Sequence, residues 1–216
     1  GRGPKPVPDA RRWRPKGWVC GYWQYHSHAS GHLPKAEMWS YSALKPSELS
    51  VKRLGINLGA PGDRMSKQGT LWLDYPSVGG SSPDVRITAK GQARTFRQHS
   101  SLVTAKDHEW VASSGVSGLQ NLTIRLDKNA KTPKTYTVRL HFCEPDDLKP
   151  GQRVFDARLS GTPVLEQFDV IAASGNRYKA VVKEFKTVTA TTDLIIDLVA
   201  RKGSPILNGV EIVAED

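Results

Sequence analysis

Tyr136, Val138, Leu140 and Phe142 alternate with Thr137, Arg139 and His141, the period of a strand with one buried face. Phe155, Ala157 and Leu159 alternate with Asp156 and Arg158 in the same way. Between these runs residues 144–151 read EPDDLKPG, where prolines, paired aspartates and a Pro-Gly step favour loop over ladder. Strand, surface loop and strand, each strand with one apolar face, form the unit of an antiparallel sheet packed on a second sheet.

The rest of the chain repeats this unit with different punctuation. Residues 51–58 predict a strand, and after Gly69 another follows in which Leu71 and Leu73 alternate with Trp72 and Asp74. Pro76, Gly79, Gly80 and Pro83 then mark a long loop. Residues 85–112 read as several short strands of poor periodicity, before Leu122, Ile124 and Leu126 resume a clear one. Ser160-Gly161 predicts a tight turn, and residues 164–170 fit either a strand or a single helical turn. Three more strands are expected at 180–188, at Leu194, Ile196 and Leu198, and at Val210 and Ile212. Nowhere does a helical period persist for three turns. The expectation is an all-β fold, an antiparallel β-sandwich of the jelly-roll kind, over about residues 50–213. Its core should hold Val138, Leu140, Phe142, Phe155, Leu194, Ile196 and Val210.

Composition adds an N-terminal extension to this picture. The chain carries 31 basic and 21 acidic residues, and Arg2, Lys5, Arg11, Arg12, Arg14 and Lys16 face only Asp9 in the first eighteen. With four prolines and no hydrophobic period, residues 1–18 read as an extended basic arm that cannot bury enough surface to fold alone. Trp13 and Trp18 are costly to leave in water, so they should anchor either on this chain's own sandwich or on a partner. Arg11, Arg12 and Arg14 would then face carboxylates, which suit the planar guanidinium. Residues 19–49 form an aromatic-rich connector containing Tyr22, Trp23, Tyr25, Trp39 and Tyr41, and residues 50–216 form the sandwich. The longest apolar stretch, near 194–200, is interrupted by Asp197, so no transmembrane segment is expected. Without an initiating Met or a signal-type apolar run, the sequence reads as a processed chain or a fragment.

The motifs of several chemistries are absent. There is no Gly-x-Ser-x-Gly elbow, no His-Glu-x-x-His pair and no Gly-rich strand-to-helix turn followed by Lys-Ser or Lys-Thr. No catalytic residue is therefore assigned and the chain is expected not to be an enzyme. His26, His28 and His32 have only Glu37 nearby as a further ligand, so they read as polar residues of an aromatic segment. Cys20 and Cys143 form no Cys-x-x-Cys pair; they are either a disulfide tying the connector to a core strand or two separate thiols. A basic arm with tryptophans suits nucleic acid in principle. No DNA- or RNA-binding motif accompanies it, and nucleic acid is not an expected partner.

The motifs YTVRLHF–EP, GQRVFDARLSGTPVLEQFDV and SPILNGVEIV, in this order, resemble the malectin-like family of β-sandwich carbohydrate-binding domains. Upstream, AEMWS, RLGINLGAPGDR and GTLWLDYPSVGGSSPDVRI resemble a bacterial group in which such a domain closes quinoprotein-like β-propeller proteins. The resemblance covers roughly residues 33–213. It implies a non-catalytic module outside the cytoplasm of a bacterium, binding polysaccharide, with an anionic one favoured by the net charge. The alternative it leaves is an architectural subunit of a larger protein assembly, docking through Trp13, Trp18, Trp23, Arg11, Arg12 and Arg14.

In this family aromatic faces meet sugar rings. The aromatic residues this implies here are Phe96 and Trp110 within residues 81–112, with Trp72 and Tyr75 ahead of them. An acidic contact comes just before the family's last strand, where this sequence has Lys202-Gly203-Ser204 and no carboxylate. No cofactor is expected; the adjacent Asp146 and Asp147 read as a solvated turn. The alternative the resemblance leaves is a loop calcium site, structural calcium being frequent in sandwich-type carbohydrate modules.

Overall fold

The computed structural model describes residues 50–77 and 85–215. The chain enters at β1 (Arg53–Leu58), followed by β2 (Arg64–Met65) and β3 (Leu71–Tyr75). Next come β4 (Ile87–Arg97), a single 3-10 turn (Ser100–Leu102), the four-residue α1 (Glu109–Ala112) and β5 (Ser114–Arg125). The central pair is β6 (Lys134–Phe142) and β7 (Val154–Leu159), and β8 (Thr162–Phe168) leads into α2 (Val170–Ser174). The chain closes with β9 (Val181–Ala190), β10 (Asp193–Lys202), β11 (Ile206–Leu207) and β12 (Gly209–Ala214).

Two sheets result. Sheet one runs β2-β3-β1-β12-β6-β9; sheet two runs β11-β5-β10-β7-β8, with β4 added along the other edge of β5. All pairings are antiparallel except β1 with β3. The antiparallel sandwich is therefore as the alternation predicts, and all seven expected core residues are inaccessible to solvent. They pack between the sheets with Leu54, Ile56, Leu122, Ile124 and Phe168.

The loop at 143–153 is where the prolines placed it. Its polar groups are held by a buried Arg153, which pairs with Glu144 at 3.2 Å and with Asp146 at 2.8 Å. Ser160 and Gly161 both take positive φ, 47° and 87°, as the mirror-image turns that suit twisted hairpins require. Residues 164–168 are strand, and the helical turn begins only at Val170, where Asp169 caps it through the Ala172 amide at 3.0 Å.

Two readings of the periodicity are corrected. Residues 87–97 are one long strand, not several short ones; its alternation is broken by register shifts on either side of Gly91. Trp72 does point away from the main core, yet it is fully buried. It lies flat over β1, where a Cβ on Gly55 would stand 2.1 Å from the indole, so only glycine fits beneath it. The segment carrying α1 covers it from the other side, with Trp110 edge-on at 5.5 Å between ring centres.

Candidate functional site

The outer face of sheet two carries an open groove of about 880 Å³. Its shape follows from one irregularity. β5 pairs along one edge with β10 through Asn121–Arg125 and with β11 through Val116 and Ser117, leaving a step between the two partners. Gly203, Ser204 and Pro205 bridge that step, and the Gly118 amide donates to the Pro205 carbonyl at 2.9 Å. On the opposite edge β4 bulges around Gly91 to match. Gly91 and Gly118 have φ of 112° and 82°, and a Cβ on Gly118 would stand 2.6 Å from the Gln92 carbonyl oxygen. The double bulge needs both glycines.

Alternation then selects what faces the groove. Ile196 and Leu198 point into the core, so Asp197 and Val199 point out; Ala157 and Leu159 point in, so Arg158 points out. Gln92, Arg94 and Gln120 join them from the bulged strands. Asp197 accepts from the Asn121 amide at 2.7 Å. The lining is thus amide, guanidinium and carboxylate around an exposed valine: groups that exchange hydrogen bonds with hydroxyls.

None of the four aromatic residues expected to bind sugar lines this groove. Phe96 and Tyr75 are half-buried and pack against the main core. Trp72, being wholly buried, has no face to offer a ligand. Trp110 is half-buried on the outer face of sheet one, with the Arg64 guanidinium 4.7 Å from its ring centre. The groove does take in Gly203 and Ser204, where the family's acidic contact was expected, and Gln92 and Arg94 from the stretch 81–112. The signals for it in the sequence were Gly91, Gly118 and Gly203 inside strand-like runs, which mark bulges and bends.

Trp13, Trp18, Trp23, Arg11, Arg12, Arg14 and Cys20 lie outside the described residues. Cys143 is buried beside Val103 and Ala112, and burial pushes its thiol up to about 12. Asp146 pairs with Arg153 at 2.8 Å. Among the described residues no group of three or more His, Cys, Asp or Glu is placed to hold a metal ion.

Sheet one has a polar outer layer of its own. Arg139 bridges Glu211 at 2.8 Å and Glu184 at 2.6 Å, and the Thr70 hydroxyl donates to Glu211 at 2.7 Å. Beside this rank, His141 packs against Trp72 and His108, with ring centres at 5.3 and 6.3 Å. Among the described residues, Nε2 of both histidines and Nε1 of Trp72 are buried without a hydrogen-bond partner. Burial holds His141 down to about 4, although Glu211 pulls the other way. Above pH 6.5 the imidazole is neutral in both folded and unfolded chains; as pH falls from 6.5 towards 4 only the unfolded chain takes the proton. Stability contributed by this site is therefore lost across that window, by about 3 kcal/mol in all.

Asp63, raised to about 7 by burial, works in the opposite sense, losing stability as pH rises from 3.8 to 7. Comparison with a variant cancels that second effect. The unfolding free energy of the wild type should fall relative to His141→Gln between pH 7 and 4, and parallel pH profiles would show that His141 does not titrate as stated.

The malectin domain family model matches residues 54–210. Receptor-like protein 4 of Arabidopsis thaliana is 34% identical over 95 residues, which make up 43% of this chain and 15% of that protein. The ANXUR2 extracellular domain from Arabidopsis thaliana superposes with a TM-score of 0.57 at 18% identity, over 76% of this chain and 48% of that one. A Bacteroides uniformis beta-glucuronidase gives 0.57 at 16% identity, over 76% of this chain but 18% of its own. Identities this low show the fold alone. Among the described residues no helix is long and apolar enough to cross a membrane.

Proposed function

We propose, from the premise that this chain belongs to the malectin domain family, that it is a non-catalytic module binding polysaccharide outside the cytoplasm. The observation that carries this reading is the groove on sheet two, whose amides, guanidinium groups and carboxylate surround the exposed apolar side chains of Val199 and Ala200. Such a lining suits a flat, hydroxyl-rich ligand, with Val199 offering a surface for its C–H groups. The setting that fits is a longer exported bacterial protein in which this domain follows a β-propeller.

A second reading is an architectural subunit that docks through the basic arm, residues 1–18, and the connector, residues 19–49. It is favoured by the small share of its relatives' length that this fold occupies, 15% and 18% in two of them. A glycan array probed with the full chain, with native mass measured on the complex from the source, separates the two. The module reading expects saturable binding to at least one polysaccharide and no turnover of it. A stable protein complex with an empty array favours the subunit, and hydrolysis abolished by one Asp or Glu substitution makes the chain an enzyme.

A further inference from the structure

We propose that the groove is a two-point clamp for an acidic polysaccharide, Arg94 and Arg158 each taking an anionic group from a different sugar of one chain lying across the strands. The inference rests on the glycan reading above. Arg94 belongs to β4 and Arg158 to β7, and β5 and β10 lie between them. Three strand spacings, about 14 Å, separate the two strands. The register adds an offset along β5 from Asn121, in line with Arg158, to Ser117, opposite Arg94. The two positions therefore lie diagonally and further apart than one sugar ring. A monosaccharide cannot satisfy both.

Two other arginines of this sheet are engaged in ion pairs, while Lys90 and Lys202 add exposed positive charge beside the groove. Arg125 pairs with Asp193 at 2.8 Å and Arg201 with Asp156 at 2.5 Å. Among the described residues Arg94 and Arg158 are exposed and stand in no such ion pair. The two guanidinium groups thus fall at opposite sides of the same groove, Arg94 beside neutral Ser117 and Arg158 across from Asp197, whose carboxylate lies at that end. Each has the planar fork that pairs with a carboxylate or sulfate through two hydrogen bonds. The stretch between them is of another kind. Gln120 and Ser117 exchange hydrogen bonds with hydroxyls, Asp197 accepts from them and repels an anion, and Val199, 41% exposed, is apolar. The ligand that matches is a polymer whose acidic groups reach the two sides while its neutral ring faces lie over the middle.

The test uses the full chain against alginate, carboxyl-reduced alginate and monomeric glucuronate, at low and at physiological salt. Alginate should bind best, with affinity falling as salt rises. Arg94→Gln and Arg158→Gln should each weaken it by about fivefold, whereas Arg125→Gln should leave it unchanged. Arg94 and Arg158 are exposed, and the thermal midpoint of each variant, Arg125→Gln included, separates a loss of fold from a loss of binding. Equal binding of both polymers, unaffected by the two substitutions, overturns the clamp and leaves the glycan reading standing. Glucuronate binding as tightly as the polymer overturns the two-point geometry. Binding of no glycan, here or on the array, overturns both.

Discussion

Phe142→Ala is expected to lower the unfolding free energy by about 3–5 kcal/mol, the range for emptying a buried aromatic site. Phe142 ends β6, inaccessible to solvent, and its ring sits 4.9 Å from that of Phe168 and 5.8 Å from that of Phe155. Those neighbours come from β8 and β7 in the opposite sheet, so the cavity opens between the two layers where neither can collapse into it without bending a strand. Urea unfolding should show a lower midpoint at an unchanged slope. A loss below about 1 kcal/mol would mean that the inter-sheet contact is not formed as described. Phe142→Leu, which keeps most of the volume, should cost far less.

Asn208→Ala should cost a similar amount by a different mechanism. The side chain has no exposed surface and makes three hydrogen bonds: Oδ1 accepts from the Cys143 amide at 2.7 Å, and Nδ2 donates to the Ala112 and Ser114 carbonyls at 3.0 and 2.7 Å. One amide thereby ties the end of β6 to the junction of α1 and β5. Alanine leaves three buried backbone groups unpaired, each worth about 1–3 kcal/mol, so a total near 3–5 kcal/mol is expected. Asn208→Asp should be no better, because a carboxylate would turn an oxygen towards two carbonyl oxygens. Amide exchange at Cys143 should quicken in both variants. Unchanged protection there, with stability intact, would rule out this role.

The aromatic cluster on sheet one explains why sequence found the wrong side chains for a ligand. Trp72 and Trp110 are large aromatic residues at polar-facing positions, which alone suggests a binding platform. In the fold they pack edge-on against each other, with Trp110 also edge-on to His108, closing a small outer core over Gly55. Alternation reports which face of a sheet a residue takes; it does not report whether another segment covers that face. The segment through α1 does so, and its register depends on contacts far away in the chain.

The sandwich was legible in the chain alone: most strands, their inward faces and the seven core residues follow from a period of two, which is local and is enforced by the burial of one face. That reading failed at 87–97, where the bulge around Gly91 breaks the period. The loop at 143–153 and the turn at Ser160-Gly161 followed from proline and glycine chemistry, also local. Where a ligand could sit depends on the fold as a whole. Arg94, Gln120, Arg158 and Asp197 come from four different strands, and they share one groove because of the register of β4 on β5 and of β10 and β11 on the other edge. Register across non-local strands is set by the summed packing of both sheets, a quantity no stretch of the chain carries alone.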